Sequence, residues 1–124
     1  MQWEKVSEGL SVLLEEALAP FDCEKRKMFG CPAYFVHENM FAGVFAESIF
    51  IRLSEKERDE LQKTFDEAFP FEPMPGRFMK EYMTLPEPAI NNSMVLHNWL
   101  ERSWNYARSL PLKEKKIKKQ RGER

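Results

Sequence analysis

The sequence predicts an α+β domain, a mostly antiparallel sheet of about five strands covered by helices in the order α-β-β-β-β-α-β-α. Three observations carry that expectation. From Lys25 to Leu53 (KRKMFGCPAYFVHENMFAGVFAESIFIRL) apolar residues recur with a period near two, the signature of half-buried strands. Polar breaks at Glu38-Asn39 and Glu47-Ser48 cut that stretch into runs of strand length with hairpin spacing. The flanking segments instead place apolar residues three and four apart, as one buried helix face requires.

The first helix should run from roughly Trp3 to Ala19, with Trp3, Val6, Leu10, Leu13, Leu14, Ala17 and Leu18 on its buried face and Pro20 as its stop. Glu15 and Glu16 are adjacent; neighbouring helix positions point about 100° apart, so these carboxylates belong to a solvated face rather than to acid/base chemistry. In the sheet, Ile49, Ile51 and Leu53 oppose Phe50 and Arg52, and Met40, Ala42, Val44 and Ala46 oppose Phe41, Gly43 and Phe45. Ser54 and Glu57 form a capping box, starting a surface helix whose stripe is Leu61, Phe65, Ala68 and Phe69, halted by Pro70.

Residues Pro70 to Arg77 (PFEPMPGR) hold three prolines and one glycine, which confine the backbone and oppose regular structure. Alternation resumes from Phe78 to Leu85, a fifth strand with Met79, Glu81, Met83 and Leu85 on one side and Phe78, Lys80, Tyr82 and Thr84 on the other. Asn91, Asn92 or Ser93 caps the last helix, which runs to about Leu110 before Pro111. Its face of Leu96, Trp99, Leu100, Ser103, Tyr106, Ala107 and Leu110, widened by Met94 and Trp104, makes it the main helix over the sheet.

The chain of 124 residues is one domain by length, and 43% hydrophobic residues with ten Phe and seven Met supply a core without metal or disulfide. No apolar run reaches membrane-spanning length, and acidic residues near the N-terminus oppose a signal peptide, so a cytoplasmic location is expected. Cys23 and Cys31 read as free thiols; with His37 and His97 they lack zinc-site spacing. The net charge of −1 hides an uneven distribution: seven basic and two acidic residues from 111 onward leave 12 and 18 in residues 1–110, so a body of −6 carries a tail of +5. We therefore divide the chain into a domain, 1–110, and a basic tail, 111–124.

Three segments, RKMFGCPAYFVHENMFAGVF from Arg26 to Phe45, FEPMPGRFMKEY from Phe71 to Tyr82 and WLERSWNYARSL from Trp99 to Leu110, together resemble the TfoX N-terminal domain family of bacterial proteins. The most specific marks are Met28-Phe29-Gly30, Phe41 with Gly43, Arg52-Leu53, and the block of Met74, Gly76, Arg77, Met79 and Tyr82. The resemblance implies a mostly antiparallel sheet covered by helices and, in some members, a link to transcriptional control of DNA-uptake genes. Those members carry a second, C-terminal domain where this sequence has its basic tail.

Arg26, Arg77, Lys80 and Tyr82 border these motifs and are the candidate binding residues: a guanidinium and a phenol held by a proline loop suit an anion or a partner's carboxylate. The structural alternative is that Arg77 pairs with Glu72 or Glu81 and tethers the loop. Met28, Met40, Met74, Met79 and Met83 serve either as sheet packing or as an adaptable groove. Lys113, Lys115, Lys116, Lys118, Lys119 and Arg121 form either a solubilising tail or sequence-independent phosphate contacts. No nucleophile-base arrangement or phosphate loop is visible, and no cofactor or metal is called for. The expected function is non-enzymatic, a regulatory domain that binds another protein or, across an open sheet edge, a second copy of itself. The alternative is a nucleic-acid-associated module tethered by the tail.

Overall fold

A computed structural model describes residues 8–28 and 30–111. The elements in chain order are α1 (Glu8–Ala17), β1 (Glu24–Met28), β2 (Cys31–Val36), β3 (Asn39–Phe45), β4 (Ser48–Arg52), α2 (Glu55–Thr64), β5 (Phe69–Pro70), β6 (Tyr82–Thr84), α3 (Glu87–Ile90) and α4 (Ser93–Ser109). The strands form one sheet in the order β1-β2-β3-β4-β6-β5, and every neighbouring pair is antiparallel. Six strands replace the expected five, because Phe69 and Pro70 pair with Thr84 and Met83 instead of extending α2. That helix ends at Thr64; Phe65 turns to extended backbone as its N–H makes the last bond, to Leu61 O. The strand expected from Phe78 shrinks to Tyr82–Thr84, since residues 71–81 fold back as a loop.

The capping residues act as their chemistry dictates. Ser54 Oγ accepts from the Glu57 amide at the head of α2, and Asn92 Oδ1 accepts from the Met94 and Val95 amides at the head of α4. The far end of α4 is held by the buried side chain of Asn39, whose Nδ2 donates to Ala107 O and Pro111 O. The first helix lies among the described residues only from Glu8 onward, and the basic residues from Lys113 on lie outside them.

Both faces of the sheet are apolar. The face under α1, α2 and α4 packs Leu14, Phe41, Val44, Ile49, Ile51, Leu53, Leu61, Leu96 and Leu100, all fully buried. The opposite face holds Ala33, Met40, Phe50, Phe71 and Tyr82, with Phe35, Phe45 and Met79 against them. Among the described residues no helix covers that second cluster; the 71–81 loop supplies Phe71 and Met79 to it. Among the described residues no helix is long and apolar enough to cross a membrane.

One irregularity departs from strict alternation. Tyr34 pairs with Ala42 but Phe35 pairs with Met40, so Phe41 is an extra residue on β3, and both Phe41 and Ala42 reach the helix-covered core. The bulge frees backbone groups that two buried hydroxyls satisfy. Tyr82 Oη donates to Met40 O (2.8 Å), and Ser103 Oγ of α4 donates to Phe41 O (2.7 Å) while accepting from Arg52 N (3.1 Å). Ser103 thus stands between β3 and β4 where continued register would pair Phe41 with Arg52 directly.

Candidate interaction surface

The sequence of residues 71–81 dictates a loop that is fixed at its base and open at its tip. At the base, Phe71 N donates to Tyr82 O, Met79 N to Phe71 O and Tyr82 N to Met79 O, at 2.9, 3.0 and 3.1 Å. The Phe71 ring stacks on Phe50 with centroids 4.3 Å apart and meets the edge of Phe45. That stack needs Gly43, since a Cβ there would lie 2.5 Å from Phe50 Cζ. Beneath the loop lies a small cavity of about 20 Å³, lined by Ala33, Phe45, Phe50, Phe71 and Met79 among others.

The tip is shaped by its own backbone. Arg77 N donates to Met74 O (2.8 Å), Gly76 adopts a φ of 78°, and Glu72 Oε2 accepts from Gly76 N (2.6 Å). With Pro73 and Pro75 restricting rotation, this turn has little freedom to lose on binding. Met74 and Phe78 are each 60% exposed, and Arg77 and Lys80 are exposed beside them. Neither cation has an ion-pair partner among the described residues. The expected tether of Arg77 to Glu72 or Glu81 does not form; the two carboxylates serve other donors.

Glu81 closes the loop in a left-handed conformation, φ 76°, that a residue with a long side chain keeps only when its surroundings hold it there. Its carbonyl accepts from Leu53 N, and its carboxylate is clasped from two sides: Arg52 Nε and Nη2 reach Oε1 at 2.8 and 2.7 Å, and Tyr106 Oη donates to Oε2 at 2.8 Å. The Arg52 guanidinium also lies over the Tyr82 and Tyr106 rings. Burial pushes the Glu81 carboxyl up, but the hydrogen bonds from Tyr106 and Arg52 and the charges of Arg52 and Arg58 outweigh it, leaving it below its ordinary value. Burial pushes Tyr82 up to about 12, which keeps its hydroxyl protonated as the donor to Met40 O.

The lowered Glu81 value has a pH consequence. A carboxyl with a depressed folded pKa stabilises fully above its unfolded value, about 4.3, and loses that contribution as pH falls through the folded value. Replacing Glu81→Gln should therefore lower the melting temperature most at neutral pH, and the gap to wild type should narrow as the pH is taken down below the unfolded value. A gap that stays constant across that range would show that the charge contributes nothing.

Of the four candidate residues, the structure places Arg77 and Lys80 on one exposed loop and Tyr82 buried at its base. Arg26 is elsewhere. It lies on β1, four strand spacings or roughly 19 Å across the sheet from β6, bound to Glu24 and Glu38 and stacked over Phe35. There it braces the β2–β3 turn, where His37 and Glu38 have φ of 53° and 65°, a costly conformation for residues other than glycine. Sequence patterns mark neither Arg52, Glu81 and Tyr106 as a unit nor Met74 and Phe78 as exposed groups. The methionines divide: Met83 is in the helix-side core, Met40 and Met79 are in the second cluster, and Met74 is in solvent. Met94, expected on the packed face of α4, is also exposed.

Other groups do not assemble. Cys31 lines the small cavity under the loop, while His37 lies with Cys23 in a cleft of about 410 Å³ beside Trp104 and Arg108. Burial and Asp22 push the Cys23 thiol up, away from a reactive thiolate. Both sheet edges carry groups that resist pairing: Lys25, Arg26 and Lys27 on β1, and Pro70 on β5. Compared with known proteins, the profile of the TfoX N-terminal domain matches residues 16–107. No curated protein matches the chain.

Proposed function

Because the chain belongs to the TfoX N-terminal domain family, we propose that it is a non-enzymatic, competence-regulator-like domain of the cytoplasm that acts by binding another protein through the tip of the 71–81 loop. The observation that supports this most is the pair Met74 and Phe78, large apolar side chains held in solvent by a turn that is already rigid. Ordinary packing would bury both; the fixed base of the loop withholds them. Phe78, Met74 and Arg77 on one preorganised loop are residue types enriched at protein interfaces.

The test compares wild type with the Met74→Ser/Phe78→Ser double variant. Both positions are exposed, so the variant should melt within about 2 °C of wild type. Proteins that co-purify specifically with wild type should be lost from the variant, and hydrogen exchange in the isolated complex should slow at residues 72–80. Equal recovery by both proteins would overturn the assignment. If ending the chain at Leu110 instead abolishes all binding, with a steep salt dependence on nucleic acid, the basic residues Lys113 to Arg121 carry the function and the alternative reading replaces this one.

A further inference from the structure

Resting on that reading of the loop, we infer that the segment it binds is acidic as well as apolar, a short stretch in which carboxylates flank aliphatic or aromatic side chains. The arginines point to it. Arg26 is bound to Glu24 and Glu38, Arg52 to Glu81, Arg58 to Leu53 O, Arg102 to Glu60 and the Trp99 ring, and Arg108 to Asn105 and the Trp104 ring. Among the described residues Arg77 alone of the arginines has no partner for its side chain.

The two acidic residues nearest to Arg77 in sequence have other partners, Glu72 the Gly76 amide and Glu81 the side chains of Arg52 and Tyr106. These carboxylates are thus engaged in bonds that shape the loop and not with its own cation. Lys80 is in the same condition, and the two charges accompany Met74 and Phe78 on one loop. An occupant must supply apolar surface for the pair of large side chains and anions for the pair of cations. Planar carboxylates match a guanidinium bidentately, and a peptide provides both kinds of group within a few residues. A long polyphosphate would satisfy the cations but would leave the exposed Met74 and Phe78 side chains without apolar contact.

The test titrates the full chain into fluorescein-labelled 12-residue peptides in which Leu and Phe alternate with Glu, with Gln or with Lys, and into a single-stranded DNA of equal length. At about 0.15 M salt the Glu peptide should bind about fivefold more tightly than the Gln peptide, the ratio two exposed ion pairs allow. Arg77→Ala/Lys80→Ala should erase that ratio, Arg77→Glu/Lys80→Glu should invert it in favour of the Lys peptide, and Phe78→Ser should weaken all three. Equal affinity for Glu and Gln peptides, with Phe78→Ser still weakening both, would overturn the acidic partner while leaving the docking surface in place. Affinities unaffected by Phe78→Ser would overturn the docking surface itself, and tighter binding to DNA that depends on Arg77 would replace the peptide with nucleic acid.

Discussion

Ser103→Ala is expected to destabilise the domain by about 3 kcal/mol, lowering its melting temperature by about 10–15 °C. The side chain is small and makes little apolar contact, so the effect comes from what the hydroxyl does to the sheet. It accepts the Arg52 amide and donates to Phe41 O inside a fully buried site. Alanine leaves the buried Phe41 C=O and the part-buried Arg52 N–H without partners, and an unpaired buried polar group costs about 1–3 kcal/mol. The strands cannot close the gap cheaply, because Phe41 is the bulged residue and its side chain is locked in the core. Ser103→Thr, which keeps the hydroxyl, should lose less than Ser103→Ala. Thermal or denaturant unfolding decides the point. Equal stability of Ser103→Ala and wild type would mean that β3 and β4 reclose on a direct bond and that the hydroxyl is dispensable.

This serine also marks the limit of what the sequence tells. Its position on the buried face of α4 follows from helical spacing alone, since Ser103 lies three or four residues from Trp99, Leu100 and Ala107. The reason for a hydroxyl there does not, because it depends on a bulge that no local pattern of NMFAGVF announces. The expected order of four strands before the second helix holds, with the polar breaks at Glu38-Asn39 and Glu47-Ser48 marking the β2–β3 and β3–β4 turns, and the Ser54 cap and the Asn92 cap, one of three residues offered, follow from their own chemistry. The two-residue β5 is set by long-range pairing to β6, which a proline-rich segment hides. The loop tip is legible in part: its prolines and glycine signal rigidity, and Arg77 and Lys80 stand exposed on it. That Glu72 and Glu81 are engaged elsewhere follows only from their three-dimensional partners.

Gly43→Ala should follow Ser103→Ala in severity, costing about 2 kcal/mol, and its damage should spread to the loop. An added Cβ would meet Phe50 Cζ at 2.5 Å, Phe50 Cε2 at 2.9 Å and Pro32 O at 3.0 Å. The ring cannot swing aside freely, because it is buried and stacked on Phe71, and the carbonyl belongs to the neighbouring strand. Overpacking of this kind costs about 1–3 kcal/mol, partly offset by the smaller backbone entropy of alanine in the unfolded chain. A cycle with Phe50→Leu isolates the clash: the double variant should lose about 1 kcal/mol less than the sum of the single changes. Additive losses would place the strain at Pro32 O rather than at the ring. The same displacement should loosen Phe71, the residue through which the loop is anchored to the sheet, so amide exchange should quicken at Phe71 and Met79, whose N–H groups bond across the loop base. Partner binding at Met74 and Phe78 would weaken with it although neither residue has changed. Unaltered exchange there would show that the tip is held by its own turn and the Glu81 clasp, independently of the aromatic stack beneath it.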